Sequence, residues 1–166
     1  GLERAAACVR AAVKTPGARR VTVLLENTAG QGTNLGHRLE HLAELLRLAA
    51  SGRVGVCLDT CHLYAAGYDL KSEAGYEKTF READDLFGLE RVKAFHLNDS
   101  KTPCGSRVDR HEHIGKGTLG SAAFRRLVQD ARFQALPALL ETPGGPEGYA
   151  RDLRNLARLR KMRKTA

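Results

Sequence analysis

Short apolar runs alternate along the chain with longer stretches of helical periodicity. Residues 21–25, 54–58, 92–97 and 136–140 are short and mostly apolar, the first of them rich in β-branched side chains, so they predict buried strands. Residues 37–50 place Leu39, Leu42, Leu45, Leu46 and Ala49 on one face, which predicts a helix that Gly52 ends. Residues 72–87 predict another helix, with Ser72 as its N-cap and Gly88 as its stop. Further helices are expected over 2–14, 122–130 and 146–164, and a long polar loop over 98–118. Four strands each followed by a helix, with no hairpin signals between them, imply an α/β fold with a parallel sheet and right-handed crossovers. Two architectures satisfy this pattern: an open doubly wound sheet, or half of a (β/α)8 barrel, which in full typically takes ~250 residues. No glycine-rich dinucleotide loop follows a strand, and neither repeats nor low-complexity linkers interrupt the chain. One domain over residues 1–166 is expected.

The polar residues at the strand ends carry the chemistry. The first strand runs into Glu26, the second into Asp59, the third ends at His96 and the fourth into Glu141. In a parallel barrel the reactive face lies at the carboxyl ends of the strands, so these four side chains converge on one rim. His62 follows Asp59 by three residues, and Asp109 and His111 alternate in the long loop, where an extended backbone would point both the same way. Glu26, Asp59, His62, His96, Asp109, His111 and Glu141 are therefore the candidate ligands. Mixed imidazole and carboxylate donors suit zinc or manganese better than Mg²⁺. Seven donors exceed one ion's needs, and a metal cluster points to in-line phosphoryl displacement. His37 and His41, spaced i and i+4 in a predicted helix body, are expected to be surface histidines, and His113 is left out of the set.

Charge agrees with a polyanionic partner. The net charge is +8, and residues 151–166 hold seven cations against one Asp: Arg151, Arg154, Arg158, Arg160, Lys161, Arg163 and Lys164. That run is expected to be a solvated helix face, with a DNA-facing role as the alternative. Hydrophobic residues make up 42% and no apolar run approaches the roughly 20 residues that cross a bilayer, so a soluble chain is expected. Cys8, Cys57, Cys61 and Cys104 show no paired metal-binding spacing and no secretory context, so free thiols in the cytoplasm are expected. Gly1-Leu2-Glu3-Arg4 has neither a starting Met nor a secretory pattern and is expected to open a piece of a longer chain.

The motifs themselves resemble the endonuclease IV family of apurinic/apyrimidinic (AP) endonucleases. The stretches are Leu25-Glu26-Asn27-Thr28-Ala29-Gly30-Gln31-Gly32, Gly55-Val56-Cys57-Leu58-Asp59-Thr60-Cys61-His62, His96-Leu97-Asn98-Asp99-Ser100-Lys101, Gly105-Ser106-Arg107-Val108-Asp109-Arg110-His111 and Leu140-Glu141-Thr142-Pro143. The resemblance implies the C-terminal half of a xylose isomerase-like TIM barrel with a trinuclear zinc site. Glu26 would bridge two zincs, Asp59, His96 and Glu141 would complete the second, and His62, Asp109 and His111 would hold the third. By the same resemblance, the histidines of the remaining zinc would lie on early barrel strands that are expected to be absent from this sequence. Glu141 and Glu26 would be the catalytic carboxylates, with Glu141 orienting or deprotonating a nucleophile that attacks the phosphate 5′ to an abasic sugar in double-stranded DNA. Lys101, Arg107 and Arg110 would face the DNA.

Two other readings stay open. A sugar isomerase or epimerase of the xylose isomerase type would need Glu26, Asp59, His96 and Glu141 for one ion and would leave His62, Asp109 and His111 unused. An inert fragment would bind metal or DNA at most. Four barrel strands would also leave two long apolar sheet edges, so self-association is expected.

Overall fold

The computed structural model describes residues 1–162. Four parallel strands form one sheet in the order β1 (Val23–Glu26), β2 (Val54–Asp59), β3 (Val92–His96) and β6 (Ala138–Leu139). A separate two-stranded antiparallel sheet pairs β4 (Asp99–Ser100) with β5 (His111–Glu112). Among the described residues the helices are α1 (Leu2–Lys14), α2 (Leu39–Ala49), α3 (Thr60–Ala66), α4 (Glu73–Phe87), α5 (Ser121–Gln129) and α6 (Gly145–Lys161), with short 3-10 turns at Ala18–Arg20 and Leu89–Arg91.

All six residues of β2 are buried, as expected of a strand flanked by neighbours on both edges. Gly55 lets β3 approach: a Cβ there would sit 2.7 Å from the Lys93 Cγ and 3.1 Å from the Arg91 carbonyl oxygen. The face of α2 that carries Leu39, Leu42, Leu45 and Ala49 is buried, as its periodicity predicts. Beside it Tyr76, Phe80, Phe95 and Phe133 stack at ring-centroid separations of 4.7–6.2 Å, welding α4 to β3.

The structure departs from several expectations. Ala50, held in the left-handed region at φ 47°, closes α2 in place of Gly52. Ser72 does cap α4, its Oγ accepting from the Gly75 N–H at 3.0 Å, and Gly88 does stop it. The run after Asp59 forms α3 directly, and the polar loop contains the β4–β5 hairpin, which no turn signal announces. The last strand shrinks to two paired residues, so the sheet edges are four and two residues long and not extended. The predicted last helix reaches Lys161; Arg163 and Lys164 lie outside the described residues. Arg151, Arg154, Arg158, Arg160 and Lys161 are exposed, as a solvated face requires. Among the described residues no helix is long and apolar enough to cross a membrane.

Candidate metal centre

Glu26, Asp59 and His96 are the last residues of β1, β2 and β3, and Glu141 lies two residues past β6. In the ladder Glu26 stands level with Cys57, and Asp59 with His96. Paired residues of a parallel sheet point to the same face, as do residues two apart on one strand, so all three side chains leave that face together. The His96 Nδ1 lies 3.0 Å from the Glu26 Oε1, 3.2 Å from the Glu141 Oε2 and 4.0 Å from the Asp59 Oδ2. One donor atom from each of the four falls within 4.8 Å of the others.

A second group adjoins the first. The Asp59 carboxylate caps α3, its Oδ1 accepting from the His62 N–H at 2.8 Å, and this sets His62 one turn above the strand end. The β4–β5 hairpin brings Asp109 and His111 across to meet it. The His62 Nε2 lies 3.3 Å from the His111 Nε2 and 3.2 Å from the Asp109 Oδ2, and the His111 Nε2 lies 3.3 Å from the Asp109 Oδ1.

The tautomers of these two rings follow from their partners. The His62 Nδ1 donates to the Asn27 carbonyl at 3.0 Å, and the His111 Nδ1 donates to the Glu141 carbonyl at 3.1 Å. A carbonyl can only accept, so each Nδ1 carries the hydrogen. In the neutral rings both Nε2 lone pairs then face each other and a carboxylate. Such a meeting needs a cation between the acceptors, and a metal fits it with the ring orientation that carbonyl-bound histidine ligands adopt.

Electrostatics supports the same conclusion. Burial opposes a charged His62, but the Glu26 hydrogen bond and the charges of Asp59 and Asp109 outweigh it and raise the imidazole to about 9. Burial likewise works against the Glu26 carboxylate, yet His62 and His96 hold it below its ordinary range. Asp59 is fully buried and its carboxyl is raised by desolvation, opposed by His62, His111 and the Asn98 amide. The metal-free cluster thus holds protons that a metal must displace.

The remaining candidates sort themselves by contact. Arg110 lines a cleft beside His62 and Asp109 together with Gln31 and Asn34, whereas Lys101 and Arg107 are exposed on the same loop and do not line it. His113 donates to Asp152 at 2.8 Å and stays outside both donor groups, as expected. His37 precedes α2 instead of lying within it, and His41 accepts from the Gly36 N–H at 3.1 Å; both are half-buried. Cys57 and Cys61 are buried free thiols, while Cys8 and Cys104 are exposed. The Cys61 sulfur comes within reach of Asp109 and His111, which its spacing does not reveal, but burial pushes the thiol up to about 12 and leaves the imidazoles and carboxylates the better donors. Asn27 and Asn98 touch the centre without appearing among the sequence candidates. Asn27 directly follows a strand end and Asn98 lies two residues past one, and that position is the one signal that could have found them.

Parallel β/α units with side chains able to ligate a metal at the carboxyl ends of the strands define the class as a barrel-type α/β fold with a candidate metal centre on its rim. The sequence model of the xylose isomerase-like TIM barrel family (AP endonuclease family 2) matches residues 1–159, and the chain belongs to that family. It is 59% identical over 141 residues to the probable endonuclease 4 of Chloroflexus aggregans, covering 84% of this chain and 49% of that protein. It is 52% identical to the probable endonuclease 4 of Geobacter sulfurreducens, covering 84% and 47%. The crystal structure of endonuclease IV from Thermus thermophilus superposes with a TM-score of 0.84 at 41% identity, over 96% of this chain and 57% of that one. The chain spans about half the length of the curated relatives it matches.

Proposed function

We propose that this chain is the C-terminal half-barrel of a zinc-dependent AP endonuclease of base excision repair in the cytoplasm. The enzyme would hydrolyse the phosphodiester 5′ to an abasic site in double-stranded DNA, leaving a 3′-hydroxyl and a 5′-deoxyribose phosphate. The observation that carries the reading is the pair of adjoining donor groups on one rim, in a chain whose relatives are named endonuclease 4. A single-ion sugar site has no use for the second group. Glu26, Asp59, His96 and Glu141 would hold one zinc, and His62, Asp109 and His111 another. Bound zinc supplies Lewis acidity, polarising the phosphoryl oxygens and making water a nucleophile at neutral pH.

The chain's own residues do the rest. Glu141 is 48% exposed and is the exposed carboxylate of the four-residue group, so it can meet an incoming water, orient it and accept its proton. Glu26, kept ionised by its two histidines, contributes fixed negative charge between the donor groups. Arg110 borders the cleft and can pair with a DNA phosphate, and Lys101 and Arg107, exposed on the same loop, would add positive charge outside it.

The half-barrel by itself need not be active, so the test joins zinc uptake by this chain with incision, by the full-length protein that carries it, of a duplex containing one abasic site. Uptake should tighten from near neutrality toward about pH 9, since His62 must give up its proton. Incision 5′ to the lesion should vanish on chelation and return with zinc. Absence of zinc uptake, or incision that survives complete metal removal, sinks the reading.

Self-association belongs to the same proposal. No further strand covers the outer edge of β1 or β6 among the described residues, and Leu139 and Leu153 are 50% and 56% exposed beside an apolar groove between β6 and α6. Light scattering should report particles larger than one chain. A monodisperse monomer that unfolds cooperatively would count against it.

A further inference from the structure

We propose that Asn98 is a positioning residue that sets the spacing of Asp59 and Glu141 in the metal centre, an inference that rests on the metal reading above. The need for such a residue arises where the sheet ends. Only Phe95 and His96 of β3 pair with β6, and the Leu97 N–H adds one more bond, to the Leu139 carbonyl at 2.8 Å. Beyond that the two backbones part, and the Glu141 N–H would lack a ladder partner. The Asn98 side chain supplies one: its Oδ1 accepts from the Glu141 N–H at 2.9 Å.

This bond fixes the amide's orientation, because an N–H requires the oxygen. The Nδ2 must therefore face the other way, and there it donates to the Asp59 Oδ2 at 2.6 Å. One planar amide thus joins the carboxylate carried by β2 to the backbone of the carboxylate that follows β6. Its own backbone is fixed as well. The Asn98 N–H donates to the Thr60 Oγ1 at 3.0 Å, and the same hydroxyl donates to the Asn98 carbonyl at 2.7 Å. Asn98, Asp59 and Thr60 are all within 2% of full burial, so water has little access to replace any of these bonds.

Asn27 offers a contrast. Its amide accepts from the Asp59 N–H at 2.7 Å and donates to the Asp59 carbonyl at 3.2 Å, holding the backbone and not the carboxylate. Asn98 alone of the two reaches the atom that would bind metal. Outer-shell donors of this kind aim a carboxylate's remaining lone pairs, and their loss typically weakens metal binding by about 10–100-fold.

The experiment compares the full chain with Asn98→Ala, using cobalt(II) as the probe and zinc competition for affinity. Asn98→Ala should bind zinc about 10–100-fold more weakly and shift the visible cobalt bands, which report coordination geometry, at unchanged circular dichroism. A second measurement needs no variant: the Asn98 side-chain amide protons of the wild-type chain should be protected from exchange and should move on zinc addition. A folded Asn98→Ala with wild-type affinity and bands overturns the inference, as does an Asn98 amide signal that ignores saturating zinc. A wild-type chain that binds neither ion overturns the metal reading itself, and this inference with it.

Discussion

In a full-length protein that carries this half-barrel and has the proposed activity, replacing Asp109 and His111 together by alanine is expected to slow abasic-site incision by about 10³-fold or more, with little change in fold stability. One ion at a phosphoryl centre contributes several kcal/mol to the transition state, and ~4 kcal/mol corresponds to about three orders of magnitude in rate. The stability side follows from placement. Asp109 is 47% exposed and His111 17%, both on the hairpin that leans over the rim, and neither belongs to the apolar core. The losses in the metal-free protein are the His111 hydrogen bond to the Glu141 carbonyl, worth about 1 kcal/mol, and the contact of the half-exposed Asp109 with the protonated His62, which solvent screening keeps small. Incision kinetics and denaturant unfolding of the variant decide the matter. Wild-type turnover would remove these two residues from the centre.

Asp99→Ala should do the opposite, costing the fold directly. The Asp99 carboxylate is fully buried and accepts from five backbone N–H groups, those of Ser100, Gly115, Gly117, Leu119 and Gly120, at 2.8–3.2 Å. Gly117 permits this approach, since a Cβ there would collide with the Ser100 carbonyl. Alanine would leave the five donors bare, and each unsatisfied buried group costs about 1–3 kcal/mol, so a loss of at least ~3 kcal/mol is expected even after the loop relaxes. Asp99 also lies in β4, whose partner β5 carries His111, so zinc uptake at the His62 group should fall as well. Denaturant midpoints together with hydrogen exchange at Gly115, Gly117, Leu119 and Gly120 report it. A change under about 1 kcal/mol would show that water or a rearranged loop replaces the carboxylate.

Much of this centre can be read from the chain, and for a physical reason. Apolar strands end where the sheet meets solvent, so the first polar residue after a run marks the rim; Glu26 and Asp59 fall there without further information, and His96 stands out as an ionisable residue one position before the end of the third run. What escapes is whatever lacks a periodic signal. Residues 60–66 continue the apolar character of β2, and a buried turn of helix cannot be told from a longer strand by hydrophobicity alone. The β4–β5 pairing spans two residues on each side of a ten-residue excursion, too short to impose alternation. The last strand is cut short because Pro137 has no N–H to donate and only its carbonyl serves the ladder, accepting from the Phe95 N–H at 3.0 Å. Asn98 and Asp99 sit in a polar loop, and nothing in their neighbours foretells that both are fully buried.

The acceptors that hold His62 and His111 in place are main-chain carbonyls, those of Asn27 and Glu141. A side-chain acceptor can be erased by one codon change; a carbonyl oxygen survives every substitution at its residue. The proton arrangement of these two rings is therefore inherited with the path of the backbone and not with any particular amino acid. Random mutation can remove either of these imidazoles outright, but it has few ways to turn one out of line, in contrast to the two carboxylates that the Asn98 side chain spaces. Lineages that drift in sequence around the rim should consequently keep the imidazole geometry for as long as they keep the imidazoles.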